Sequence, residues 1–494
     1  MKKSITHTIL FTFIAMSSLH LQSAQVSEIS QYGITWTFAQ PVEAGQFISG
    51  DWWVVGPVEI VSVSPEPGPS DSTNNTESKS VYGAVSLVTD TRMRNGSMVH
   101  LGKSGDKNLS RQGLDSRSKT YDPELSISFP YTLEANRSLI SSVSGETFND
   151  KGKLATPNVL GQLGFFLTKK TQDYALESSA VLTCLDQVPP ADAFRPAYVG
   201  TEKTIYRAKD LQWDKLLKLA PTASMPKWET MERAFERPWF EIPASWQMQH
   251  FGPGLNQPTY GREYTRLSSL ASLMLSLDVP NEQKETLLYS YVQLGIDTYG
   301  MTINGRNWSS DGGWWQGRKW VIYFASILLD QPEMRDLPNT RFQEDMDTYY
   351  GEGALGQTVL WQLTYHSHPR PSHQEELRNE SNIKLYKMAE GYRFINSASW
   401  IGQALVAQHM MAKEMWNHDA YFDYVDQWMS PEESFPVPKW LPKGCKRSVD
   451  PFMEEMWAAY RESVPEQPGG KDNLKWVWTD MKTRTGEWVE NPKP

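Results

Sequence analysis

Cysteine is nearly absent from this 494-residue chain. Cys184 and Cys445 are the only two, which excludes a disulfide-rich scaffold but leaves room for one bridge between the two halves in an oxidising compartment. Cys184 lies in the apolar run Val181 to Leu185 and reads equally as a buried thiol. Beyond the N-terminus no apolar run approaches the ~20 residues needed to span a bilayer, so no membrane span is expected. Positive charge is also in short supply. The formal net charge is −10, and neither a basic stripe nor a zinc-finger spacing offsets it, which argues against a general nucleic-acid binder. A local Arg/Lys cluster on an acidic chain still suits an acidic polymer.

What is present points outward from the cell. Lys2 and Lys3, the apolar stretch Ile9 to Met16 and a cleavage site at Gln22-Ser23-Ala24 have the form of an export signal, so the expected location is secreted or periplasmic. Single cores stop growing near ~250 to 300 residues, so at least two domains are expected. Tryptophan is abundant, with 20 residues in all, most of them after residue 200. Trp packs helix layers well, and exposed Trp and Tyr also form flat apolar platforms for sugar rings. An exported, Trp-rich chain therefore leans towards carbohydrate.

Along the chain the character changes once. From Ile34 the segments ITWTF and DWWVVGPVEIVSV alternate as strands, and strand-like runs recur to Leu185 with no long amphipathic helix before about residue 210. This half predicts a β-sandwich of short strands over 25–198. After Pro189-Pro190 helical runs follow at Glu263 to Leu277, Asn281 to Tyr299, Arg318 to Leu329, Ala398 to Trp416 and Tyr421 to Met429. Successive helical hairpins joined by polar loops predict an all-α (α/α) toroid over 199–494, with a bundle or solenoid as the other arrangements of that pattern. From Pro431 the tail, rich in Pro and Trp, predicts an extended wrap.

Three polar segments carry candidate chemistry. Ile303 to Asp330 is a Gly-rich loop bearing Asn304, Arg306, Asn307, Asp311, Trp314 and Trp315, feeding a helix that begins at Arg318. Arg318 and Lys319 in that helix's first turn oppose its dipole, which implies an anion nearby. Met248 to Arg266 places His250, Asn256, Tyr260 and Arg262 in a loop leading into a helix. A uronate lyase needs such a set, with one group to neutralise the carboxylate, a base for the C5 proton and an acid for the leaving oxygen. In Tyr392 to Trp400, Asn396 or Ser397 has the form of an N-cap, with Tyr392 and Arg393 in the loop before it. The histidines His366, His368 and His373 lie close together, but Pro369 and Pro371 make that stretch an irregular loop instead of a rigid metal platform. No metal and no cofactor are expected.

The segments GQFISGDWWVVGPVEIVSVSP, GGWWQGRKWVIYFASILLD, YRFINSASWIGQALVAQHM and MWNHDAYFDYVDQWM together resemble a group of exported bacterial proteins of polysaccharide-degrading systems. The helical half is similar in layout to the α/α-toroid polysaccharide lyases. Such lyases commonly use an Asn/His pair, a Tyr and an Arg, and the resemblance implies Asn256 with His250, Tyr260, and Arg262 or Arg318. The Asn-Asn-His triplet of some toroid alginate lyases is absent, and no histidine stands in the central Gly-Trp loop, so the base falls to His250 or Tyr260.

The resulting expectation is a lyase acting on an acidic polysaccharide by β-elimination. Tyr260 and His250 move protons, Arg318, Arg262 and Lys319 hold carboxylates or sulfates, Trp314 and Trp315 stack on sugar rings, and Asn307, Tyr392 and Arg393 line the cleft. An inverting glycoside hydrolase using Asp311 and Glu352 at about 6.5 to 9.5 Å and a non-catalytic glycan binder are the alternatives.

Overall fold

The alternating N-terminal segments form one sheet. Strand β1 (Ala24–Gln31) turns into β2 (Ile34–Gln46) through Tyr32 and Gly33, and β3 (Trp52–Val55) and β4 (Val58–Ser64) follow across the Gly56-Pro57 break. Strands β5 (Ser97–Val99), β6 (Tyr131–Leu133), β7 (Arg137–Ser144) and β8 (Leu176–Leu185) complete the order β5-β7-β8-β3-β2-β4-β6, with β1 on β2. The computed structural model describes residues 23–68, 78–79, 86–87, 93–101, 109, 111–117, 120–145, 156–157, 171–172, 175–242, 252–258, 260–337, 339–352, 357–363, 370–371, 383–430, 449–480 and 485–493.

Two packed sheets were expected. Among the described residues an eight-stranded curled sheet, a half-barrel, stands there instead, with only the two-residue pairs 78–79/86–87 and 156–157/171–172 beside it. Register shifts at Val26/Glu28, Thr37/Phe38 and Leu176/Ser178 supply the bends, because a bulge raises local twist and turns the strand. Ile34, Trp36, Val54, Ile60, Leu139 and Leu182 fill one core with Cys184. Cys184 is a buried free thiol, and Cys445 lies outside the described residues.

Among the described residues nine helices follow. Helix α1 (Trp228–Phe235) precedes α2 (Gly261–Leu275), α3 (Asn281–Ile303), α4 (Arg318–Leu329) and the short α5 (Gln343–Asp347). After strands β9 (Thr348–Tyr350) and β10 (Val359–Leu363) come α6 (Ile383–His409), α7 (Lys413–Trp416), α8 (Asp419–Met429) and α9 (Pro451–Tyr460). Helix α2 packs along α6, and α3 along α4. No described helix is long and apolar enough to cross a membrane.

Two local expectations are corrected. The helix expected from Ala398 runs from Ile383, so Asn396 and Ser397 are interior helical residues and Tyr392 and Arg393 ride on the helix. The run towards Trp416 breaks at Met411, which takes a left-handed φ of 58°. The tail is not extended throughout: it holds α9 and a hairpin of β11 (Leu474–Asp480) and β12 (Thr485–Glu490), whose Trp476 and Trp488 lie in register. Leu474, Trp476 and Trp478 recur at every second position of LKWVWTD, which is the strand period that marks it.

The halves share a core, for Met98, Ile140 and Val181 belong to the same apolar cluster as Leu267, Tyr291 and Phe324. Arg195 fastens the junction with Nε 2.6 Å from Asp51 Oδ2, before β3, and Nη1 2.8 Å from Asp297 Oδ1 on α3.

Candidate active site

The loop Asn304–Gly317 between α3 and α4 is held on three sides. Its Trp308 amide donates to the Arg341 carbonyl at 2.9 Å, and the Trp315 amide to Gln343 Oε1 of α5 at 2.9 Å. From α6, Asn396 Nδ2 donates to the Gly312 carbonyl at 2.8 Å and Asn396 Oδ1 accepts from Gln316 Nε2 at 2.9 Å. Gly317 then enters α4 at a φ of 86°, a left-handed conformation that a residue with a Cβ adopts only under strain.

Two tyrosines meet this loop at its Gly-Gly turn. An ideal Cβ on Gly313 would stand 2.5 Å from Tyr260 Oη, and one on Gly312 would stand 3.0 Å from the Tyr392 ring, so the turn has room for both only because it carries no side chains. Tyr260 precedes α2, and Tyr392 rides on α6; both remain partly exposed. The Trp314 ring meets Tyr260 edge to face with centroids 4.5 Å apart, and the Arg262 guanidinium lies 5.1 Å from the Tyr260 ring centroid.

Electrostatics tie the cluster together. Burial raises the Tyr260 hydroxyl well above the usual tyrosine range, Tyr392 and Asp311 push the same way, and Arg262 opposes them. Burial likewise raises Tyr392, with Asp311 adding to it. Both phenols are therefore protonated at neutral pH and fit to donate. Asp311 is 4% exposed, so its charge acts in a medium of low dielectric.

The other sequence-predicted residues separate into distinct environments. Asn256 is fully buried and pins its loop to the sheet, accepting from the Ser179 amide at 3.1 Å and donating to the Ser179 and Pro238 carbonyls at 2.8 and 3.0 Å. The anions implied by Arg318 and Lys319 are the protein's own. Arg318 Nη2 lies 2.8 Å from Glu241 Oε1, and Lys319 Nζ lies 2.5 Å from Asp345 Oδ2 and 2.6 Å from the Trp416 carbonyl. Burial lowers the Lys319 pKa, against the pull of Asp345. Trp315 is buried and presents no open ring face for a sugar, while Trp314 is buried against Tyr260. Arg393 is buried with its guanidinium 4.8 Å from the Phe394 ring and 5.2 Å from the Trp428 ring. Asn307 Oδ1 accepts from the Arg341 amide at 2.9 Å. Glu352 is exposed. His250, His366, His368 and His373 lie outside the described residues, among which no group of His, Cys, Asp or Glu is placed to hold a metal.

Sequence reasoning passed over two residues. Arg306 is 6% exposed, and its Nε and Nη2 find no hydrogen-bond partner among the described residues; Glu241 is buried with Oε2 likewise unpartnered. Arg306 was visible as one polar residue of the loop, but its want of a carboxylate is a three-dimensional property. Glu241 carries no local signal at all. Compared with known proteins, the chain matches no family model, no curated protein and no solved structure, so a functional reading rests on this geometry.

Proposed function

We propose that the protein is an exported polysaccharide lyase that cleaves an acidic, uronate-containing polymer by β-elimination, with the helical hairpins arranged as an α/α toroid. The observation that carries this reading is the meeting of Tyr260 and Tyr392 on the Asp311–Gly312–Gly313 turn, beside Arg262.

In the elimination a base takes the C5 proton, the C4–C5 double bond forms, and the C4–O4 bond breaks with O4 receiving a proton. A protonated tyrosine suits the last step, since it holds its proton until negative charge develops on the leaving oxygen. Tyr260 takes that role, with its own ring held in place by Trp314. The nearby Arg262 guanidinium, itself paired with Glu263 at 2.8 Å, favours the phenolate that proton donation leaves behind and offsets part of the cost of the transfer. His250 is the base of this scheme and Tyr392 the second proton carrier.

The test is to offer the mature protein alginate, ulvan, glucuronan, pectate and glycosaminoglycans while following ultraviolet absorbance of the conjugated product. A rise on any of them supports elimination. New reducing ends without absorbance would replace the lyase by a hydrolase working through Asp311, and neither signal would leave a glycan binder.

A further inference from the structure

Two guanidinium groups share one aromatic wall, and among the described residues only one of them is hydrogen-bonded to a carboxylate. Arg318 lies 5.5 Å from the Trp315 ring and 5.8 Å from the Trp308 ring, and Glu241 Oε1 meets its Nε and Nη2 at 3.1 and 2.8 Å. Arg306 lies closer to the same rings, at 4.5 and 5.1 Å. Yet its Nε and Nη2 have no hydrogen-bond partner among the described residues, although the side chain is 6% exposed.

The rings supply quadrupole attraction but no hydrogen-bond acceptors for the fork. Burial lowers the Arg306 pKa to about 10, with Glu241 and Asp311 only partly opposing it and Arg318 adding to it. An unmatched buried cation is destabilising, and a residue kept only for packing would be better apolar. Such a group is explained when a ligand completes it. Glu241 Oε2, also buried and unpartnered, is an acceptor left open within electrostatic range of Arg306.

We propose that Arg306 anchors the carboxylate of a bound uronate, with Glu241 Oε2 accepting a hydroxyl of the same sugar. A planar carboxylate is what a guanidinium fork binds best, and a uronate offers an acid and a hydroxyl donor on one ring. An inorganic anion satisfies only the first, and a neutral sugar only the second. The uronate identity rests on the lyase reading; the uncompensated Arg306 does not.

The experiment is thermal unfolding of the full mature chain with sodium glucuronate, galacturonate or mannuronate, sodium sulfate at matched ionic strength, or methyl glucoside. Glucuronate raises the wild-type Tm by mass action, methyl glucoside does not, and sulfate gives a smaller shift. Arg306→Met abolishes the glucuronate shift while its own Tm equals or exceeds that of the wild type, and Arg306→Lys retains part of the shift. A wild type unmoved by glucuronate, galacturonate and mannuronate overturns the proposal. So does an Arg306→Met protein that keeps the shift, or one whose Tm falls together with that of Arg306→Lys, which would make Arg306 a structural cation. Sulfate acting as strongly as glucuronate overturns the uronate assignment. A uronate shift without any elimination activity upholds this site and discards the lyase; elimination with kcat and KM unchanged in Arg306→Met discards this site alone.

Discussion

Glu241 and Arg318 form a buried ion pair, 2.8 Å between Oε1 and Nη2 with both side chains almost wholly enclosed. It joins the first turn of α4 to a residue 77 positions earlier, which makes it a tie between segments. Removing one partner strands a buried charge, and such losses run to about 3 to 5 kcal/mol. Glu241→Gln is expected to lower the denaturant midpoint accordingly with an unchanged m value. Adding Arg318→Met to it is expected to restore most of the loss. An unaltered midpoint in the single variant would return Arg318 to the list of cations free for substrate.

Glu344 and His100 set opposing pH dependences. Burial raises Glu344 to about 7, although the Gly317 amide favours its ionised form; burial lowers His100 to about 4, with Lys203 adding to it. Glu344 contributes stability below its unfolded value of about 4.5 that is lost as pH rises to 7. His100 contributes stability above about 6.5 that is lost as pH falls to 4. Each amounts to about 3 kcal/mol, so in the wild type they largely cancel across this window. Glu344→Gln is expected to be more stable than the wild type at pH 8 by about that amount, and the difference is expected to vanish near pH 4. Denaturant titrations at the two pH values measure it, and a constant difference would contradict the raised Glu344.

Some of this architecture was legible locally and some was not. Helix α4 matches its expected limits because Gly317 and Asp330, both left-handed, punctuate a clear apolar period. Asn396-Ser397 imitated a cap, since these side chains compete with helix backbone groups when nothing else binds them. In the fold Asn396 is engaged by Gly312 and Gln316, Ser397 bonds to Arg393 and Tyr424, and the helix runs through. Tyr260, Arg262, Trp314 and Tyr392 were nominated and are brought together. Arg306 in the loop and Arg318 in the first turn of α4 are the same residue type close in sequence, and the distant Glu241 tells them apart.

Asn256 shows how the sheet positions the candidate site. Its side chain makes three hydrogen bonds, to the Ser179 amide and to the Ser179 and Pro238 carbonyls, four residues before Tyr260. Asn256→Ala leaves those buried groups unpaired at a cost of about 2 to 3 kcal/mol. It is also expected to lower turnover on an accepted polymer more than binding, because the displaced loop carries Tyr260. Steady-state kinetics beside a denaturant titration check both, and full turnover in a destabilised variant would detach Asn256 from the site.

Tyr260→Phe isolates the hydroxyl from the ring. The edge-to-face contact with Trp314 and the approach of Arg262 both depend on the ring, so stability is expected to remain near that of the wild type. If the hydroxyl protonates the leaving oxygen, turnover falls on the order of 10²- to 10⁴-fold, the usual contribution of one positioned acid. Polymer affinity should hold. Tyr392→Phe provides the comparison, because its hydroxyl belongs to the same turn but is assigned the second proton-carrying role. A larger loss from Tyr392 than from Tyr260 would exchange the two assignments. Undiminished turnover in Tyr260→Phe would remove Tyr260 from the chemistry and leave Asp311 as the proton donor to test next.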